Sequence, residues 1–131
     1  MDYQTMGTHI MIDMWGVDFD LLNNVDGLEG KMYDAALSSG AGVLGVQSEG
    51  FVPQGCTILL LLSESHFSIH TYPEQGYASI DCYTCGEGVD PKVAIEMMID
   101  FLQPKKLHGK EIKRGNGEFA VNDYTGLKVS R

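Results

Sequence analysis

The chain has few basic side chains, nine against eighteen acidic ones in 131 residues, and its formal charge of -9 repels phosphate backbones. Nucleic acid is therefore not an expected partner, whereas a cationic small molecule would be attracted. Taken alone, the acidity is better explained by solubility. No apolar run approaches the roughly 18 residues of a membrane span, and no basic segment leading into an apolar signal core opens the chain. The corresponding expectation is a cytoplasmic protein without a membrane partner. Cysteine is scarce and odd in number, with only Cys56, Cys82 and Cys85, which argues against a disulfide framework and leaves at least one thiol free. The Cys82-x-x-Cys85 spacing lacks the second pair of a zinc site and the helix N-terminus of a redox motif, so no metal is expected. Internal repeats, low-complexity tracts and linkers are missing too. A chain of this length suffices for one core but not two, and residues 1–131 are expected to form one domain.

What is present reads as strands and helices in a definite order. Residues 8–15 alternate, with Ile10, Ile12 and Met14 on one side, and predict a strand. Leu21, Val25, Leu28, Met32 and Ala35 recur at helical spacing and predict one helix ending before Gly40, although Gly27 and Gly30 weaken it. A short strand over 43–47 precedes a turn region at 50–55. The run 56–63 is apolar on both faces and predicts a central strand. Segments 66–72 and 76–85, joined tightly through Pro73-Glu74-Gln75, predict an antiparallel hairpin. Asp90-Pro91 supplies a helix cap and first turn for a stripe of Val93, Ala94, Met97, Met98, Phe101 and Leu102, which Pro104 ends. An edge strand follows at 107–113, and from Gly115 the polar tail has no assigned element. This order predicts an α+β fold, a two-layer sandwich of an antiparallel sheet with helices packed on one face.

Strand parity then gathers chemistry on the other face. Phe67 and Ile69 point one way while His66, Ser68 and His70 point the other. In the next strand Ala78, Ile80 and Cys82 are opposed by Tyr77, Ser79, Asp81, Tyr83 and Cys85. Two histidines, two tyrosines and a cysteine on a face without helices suit a site or an interface better than plain solvation.

At the junction between the leucine-rich run and the alternating strand stands Ser63-Glu64-Ser65. A serine can add its hydroxyl to the preceding carbonyl, shifting the acyl group from nitrogen to oxygen. Removal of the serine α-proton then breaks the ester by β-elimination, and hydrolysis of the resulting dehydroalanine releases ammonia and leaves a pyruvoyl group. Its carbonyl can form a Schiff base with a substrate amine and accept electrons as carbon dioxide leaves. Taken alone the pattern is weak. Glu-Ser pairs are common at turns, and by themselves His70 is more often a hydrogen-bonded structural histidine and Cys85 an inert half-buried thiol.

A wider set of residues changes the weighing. The run from Ser63 to Glu74, with Gly76-Tyr77-Ala78, Asp81 and Thr84-Cys85-Gly86-Glu87, closely resembles the small bacterial type of S-adenosylmethionine decarboxylase proenzyme. Gly7-x-His9, Phe51-x-Pro53-x-Gly55 and Val89-Asp90-Pro91 extend the resemblance over residues 6–114. It implies a dimer of α/β sandwiches. It implies cleavage between Glu64 and Ser65 into a β chain of residues 1–64 and an α chain of residues 65–131, with a pyruvoyl group derived from Ser65 and no metal. His70 would be the base in processing. Cys85 would be the proton donor, since a thiol with an ordinary pKa of about 8.5 is largely protonated at neutral pH. Phe51, Tyr72 and Glu74 would bind substrate, the rings stacking on adenine and the carboxylate holding the ribose.

The chain departs from the family pattern at the substrate wall. Tyr72 stands for the usual tryptophan, Gln75 for a tyrosine and Gly50 for an arginine, and Thr57 and Ile58 occupy positions where smaller residues are frequent. Tyrosine still stacks on a purine, with less area. The expected reaction is decarboxylation of S-adenosylmethionine to the aminopropyl donor of spermidine synthesis. Two alternatives stay open: a pyruvoyl-dependent decarboxylase of ornithine or arginine, and an unprocessed binding or regulatory homologue.

Overall fold

A computed structural model describes residues 5–124. In chain order the elements are β1 (Gly7–Trp15), α1 (Phe19–Asn23), α2 (Val25–Ser38), β2 (Val43–Gly50), β3 (Cys56–Leu62), β4 (Ser65–Tyr72), β5 (Tyr77–Cys85), α3 (Pro91–Leu102), β6 (Lys106–Arg114) and β7 (Ala120–Asp123). A 3-10 turn at Pro73–Gln75 links β4 to β5. All seven strands form one antiparallel sheet in the order β2-β3-β4-β5-β1-β6-β7.

The two-residue period of the strands builds the core. Ile10, Ile12 and Met14 of β1, Ile58 and Leu60 of β3, Phe67 and Ile69 of β4, and Ala78, Ile80 and Cys82 of β5 are all buried on one face of the sheet. Leu28 and Met32 of α2 and Ala94, Ile95 and Met98 of α3 join them in one apolar cluster. α3 begins as its sequence dictates: the Asp90 carboxylate accepts from the Lys92 N–H at 3.0 Å, and Pro91 takes the first helical position. The two-layer α+β sandwich is the observed architecture.

Three elements differ from the sequence reading. The first helical stripe is two helices, broken at Asn24, whose side chain accepts from the Gly27 N–H at 3.0 Å and so starts α2 afresh. β3 is central in pairing but not in cover, because Leu59 and Leu61 are 52% and 58% exposed on the face opposite the helices. β6 is no edge strand. It lies between β1 and β7, the latter formed within what reads as polar tail, and Tyr124 behind it is buried, its hydroxyl donating to Glu96 at 3.3 Å. The rest of that tail, 125–131, lies outside the described residues.

Candidate active site

The β3–β4 connection is a hairpin with a two-residue loop, Ser63-Glu64, since Leu62 pairs directly with Ser65. Ser65 therefore starts β4, and its other neighbour is Thr84 of β5. That register carries the next residue of β5, Cys85, to the peptide bond before Ser65. The Cys85 N–H donates to the Glu64 carbonyl at 3.1 Å, and the Cys85 thiol donates to the same oxygen at 3.0 Å. Two donors converge on the carbonyl that a Ser65 hydroxyl would attack. The arrangement has the form of an oxyanion hole, in which donors already in place hold charge as it develops.

The loop itself is tied to the segment before β2. Glu64 Oε1 accepts from the Gly42 N–H at 3.1 Å, and the Ser63 N–H donates to the Gly42 carbonyl at 2.9 Å. The Glu64 carboxyl is held below the ordinary carboxylate range, first by the Ser63 hydroxyl and then by the Gly42 N–H.

The three thiols separate by strand parity. Cys82 faces the core, where burial first, and Asp81 second, push its thiol up to about 12. Cys56 is also buried and raised, chiefly by desolvation, and lies 3.6 Å from the Thr71 hydroxyl. Cys85 alone is partly exposed.

A second cluster lies at the far end of β4. His70 Nδ1 is 2.5 Å from the Thr57 hydroxyl, and its ring is flanked by Tyr72 at 4.8 Å and Phe51 at 6.1 Å between centroids. Glu74 accepts from the Gln54 amide at 3.3 Å. Phe51, His70 and Tyr72 thus come together, Glu74 meets Gln54 of the neighbouring loop, and Ser65 and Cys85 do not join them. Five strand steps separate Ser65 from His70, about 17 Å at the usual rise.

Between the clusters, on the face without helices, His9 Nε2 lies 3.1 Å from Asp81 Oδ1. The Tyr83 ring sits 5.6 Å from that of His9 and 5.7 Å from that of His66. A Cβ on Gly7 would come within 2.7 Å of the Tyr83 ring, so the glycine opposite Cys85 makes room for it. The open face thus holds the histidines, tyrosines and aspartate expected from parity. Gly42 was not among the expected site residues, and Thr57 was expected only as a departure at the substrate wall, not as the partner of His70. Gly42 is 22 positions from Glu64, and no local pattern connects the two. Among the described residues, no group of three or more histidine, cysteine or acidic side chains is arranged to hold a metal ion.

The model of the S-adenosylmethionine decarboxylase family matches residues 8–115. The chain is 54% identical over 121 residues to an S-adenosylmethionine decarboxylase proenzyme of Brevibacillus brevis, covering 92% of this chain and 91% of that one. It is 52% identical over 123 residues to S-adenosylmethionine decarboxylase proenzyme 2 of Bacillus cereus, covering 94% and 100%. Among solved structures, the adenosylmethionine decarboxylase of Aquifex aeolicus superposes with a TM-score of 0.81 at 35% identity, over 88% of this chain and 95% of that one. The Trypanosoma brucei AdoMetDC-delta26 monomer shares the fold alone, with a TM-score of 0.60 at 16% identity, over 80% of this chain and 45% of that one.

Proposed function

The chain belongs to the S-adenosylmethionine decarboxylase family, and from that premise we propose that it is a carboxy-lyase that cuts itself between Glu64 and Ser65 and then decarboxylates S-adenosylmethionine. The product would be the aminopropyl donor for spermidine. The observation that carries the self-cutting step is the pair of Cys85 donors within 3.1 Å of the Glu64 carbonyl.

Ser65 Oγ would bond to the Glu64 carbonyl carbon as the C–N bond breaks, the hydroxyl proton ending on the Ser65 nitrogen. The Cys85 N–H and thiol would hold the negative charge on the carbonyl oxygen meanwhile. Loss of the Ser65 α-proton to a base then breaks the Cβ–O bond and frees Glu64 as a carboxylate. Water and the loss of ammonia complete the change at residue 65, leaving chains 1–64 and 65–131. A serine followed directly by strand, with donors on the preceding carbonyl, fits the making of such a group. When present, a pyruvoyl group supplies a carbonyl that captures an amine and withdraws electrons as carbon dioxide departs. Cys85 is the partly exposed thiol beside that position and is assigned the delivery of the final proton.

His70, assigned as the base, lies too far along its own strand to serve the Ser65 of the same chain. A second copy related by a two-fold axis that reverses strand direction would bring one protomer's His70 cluster to the other's Ser65. The site is therefore read as shared in a homodimer. Phe51 and Tyr72 offer aromatic walls around His70, and Glu74 a nearby carboxylate. Two rings flanking one site offer flat faces on which a purine can stack, which supports the nucleoside substrate. No helix among the described residues is long and apolar enough to cross a membrane, which is compatible with action in the cytoplasm.

Intact-mass measurement tests the reading. The wild type should yield two fragments with a blocked α-chain N-terminus, and Ser65→Ala a single inactive chain of 14.4 kDa. Carbon dioxide should be released from S-adenosylmethionine and not from ornithine or arginine. A wild-type chain that stays whole through prolonged incubation would overturn the proposal in favour of an unprocessed binding protein.

A further inference from the structure

Glu64 contributes the carbonyl of the bond to be cut, yet cleavage chemistry makes no demand on its side chain. In this fold that side chain has a definite partner. Its Oε1 accepts from the Gly42 N–H at 3.1 Å, while the neighbouring Ser63 N–H donates to the Gly42 carbonyl at 2.9 Å. A hairpin tip is ordinarily a mobile part of a sheet. This one is held from one side by Gly42 and from the other by the Cys85 N–H at 3.1 Å.

We propose that the Glu64 side chain is a positioning residue that acts twice. Through Gly42 it keeps the Glu64 carbonyl under the two Cys85 donors before the cut, and afterwards it keeps the new terminal carboxylate of the β chain beside the Cys85 thiol. The proposal rests on cleavage at Glu64–Ser65. Before the cut, the Cys85 hydrogen bonds polarise the carbonyl only while the loop stays in place, and a small displacement of a donor at a reacting centre is costly in rate. After the cut, residue 64 loses its covalent link to β4, and hydrogen bonds alone retain the end. A carboxylate held there accepts the same S–H bond, a charge-assisted and therefore stronger one, and covers the thiol. The anionic state of the Glu64 side chain at neutral pH, favoured by Ser63 and Gly42, makes it a strong acceptor for this anchor.

The test compares wild type, Glu64→Ala and Glu64→Gln in cell-free synthesis, reading the appearance of the α chain by intact mass. Folding is checked by circular dichroism. Glu64→Ala should be cut about tenfold or more slowly, the loss of one charge-assisted anchor. Glu64→Gln, whose amide oxygen still accepts from Gly42, should recover most of the rate. Once cleavage is complete, iodoacetamide should alkylate Cys85 several-fold faster in Glu64→Ala than in wild type, with the buried Cys56 and Cys82 as internal controls. Folded Glu64→Ala cut at the wild-type rate, Glu64→Gln as slow as Glu64→Ala, or equal alkylation of Cys85 would each overturn the proposal. If Glu64→Ala does not fold, Glu64→Asp, whose carboxylate stops one methylene short of Gly42, carries the same expectations. An uncut wild-type control would instead refute self-cleavage itself and the proposal with it.

Discussion

Cys85 differs from Cys82 by three positions in one strand, and that odd offset places it on the half-exposed face while Cys82 packs into the core. The same parity leaves Cys82 as a buried thiol pushed up to about 12, and so inert. Register with β4 does the remaining work by bringing both the N–H and the thiol of Cys85 to the Glu64 carbonyl. Replacing the side chain therefore removes one donor and leaves the other. Cys85→Ala is expected to be cut still, about fivefold to tenfold more slowly, the worth of roughly 1 kcal/mol for one weak hydrogen bond. Decarboxylation by the cut variant should fall much further if Cys85 delivers the final proton as proposed. Timed intact-mass spectra and a carbon dioxide assay on the same samples separate the two effects. The sequence singled out Ser65, Cys85 and the Glu64–Ser65 bond through the family motif. The Gly42 anchor was not legible, because it joins two segments that meet only after the sheet has formed.

At the scale of elements, α3 and the β4–β5 hairpin were legible from local patterns, since an Asp-Pro cap, a helical stripe and strict alternation each act over a few residues. The first helix was misread as continuous because its apolar stripe runs through the break, with Leu21 packed against the core before it and Val25, Leu28 and Met32 after it. The break is a capping event, and Gly27 belongs to it: a Cβ there would meet the Asn24 amide nitrogen at 2.5 Å. Gly30 has nothing within 4 Å of where its Cβ would stand. The two glycines should accordingly respond in opposite ways. Gly30→Ala is expected to stabilise by about 1 kcal/mol, a rise of about 3–5 °C in Tm. Gly27→Ala should give no gain, because its methyl group disturbs the cap that starts α2. Thermal melts of the two single variants check this. β6 was misplaced as an edge because the strand that covers it, β7, comes from a polar stretch whose pairing depends on β6 already being in the sheet.

In the whole molecule, the helices cover one face of the sheet and leave the other to His9, His66, His70, Tyr72, Tyr83 and the exposed Leu59 and Leu61. The residues assigned to one active site stand at both ends of β4. If the site is shared between two copies, uncut variants that fail for different reasons should complement each other. Ser65→Ala and His70→Ala, each expected to stay whole alone, should on co-expression yield cleavage of the His70→Ala chain only, with its base supplied by the partner copy. Mass spectrometry distinguishes the two chains, and the absence of any fragment would refute the shared site. By itself the sequence determined the α+β class, the faces of the strands and the chemistry available at Ser65 and Cys85, because alternation, capping and motif spacing act along the chain. Only the tertiary structure decided that Cys85 donates twice to the Glu64 carbonyl and that Gly42 holds Glu64. Those relations join segments distant in the chain and exist only once the sheet has formed.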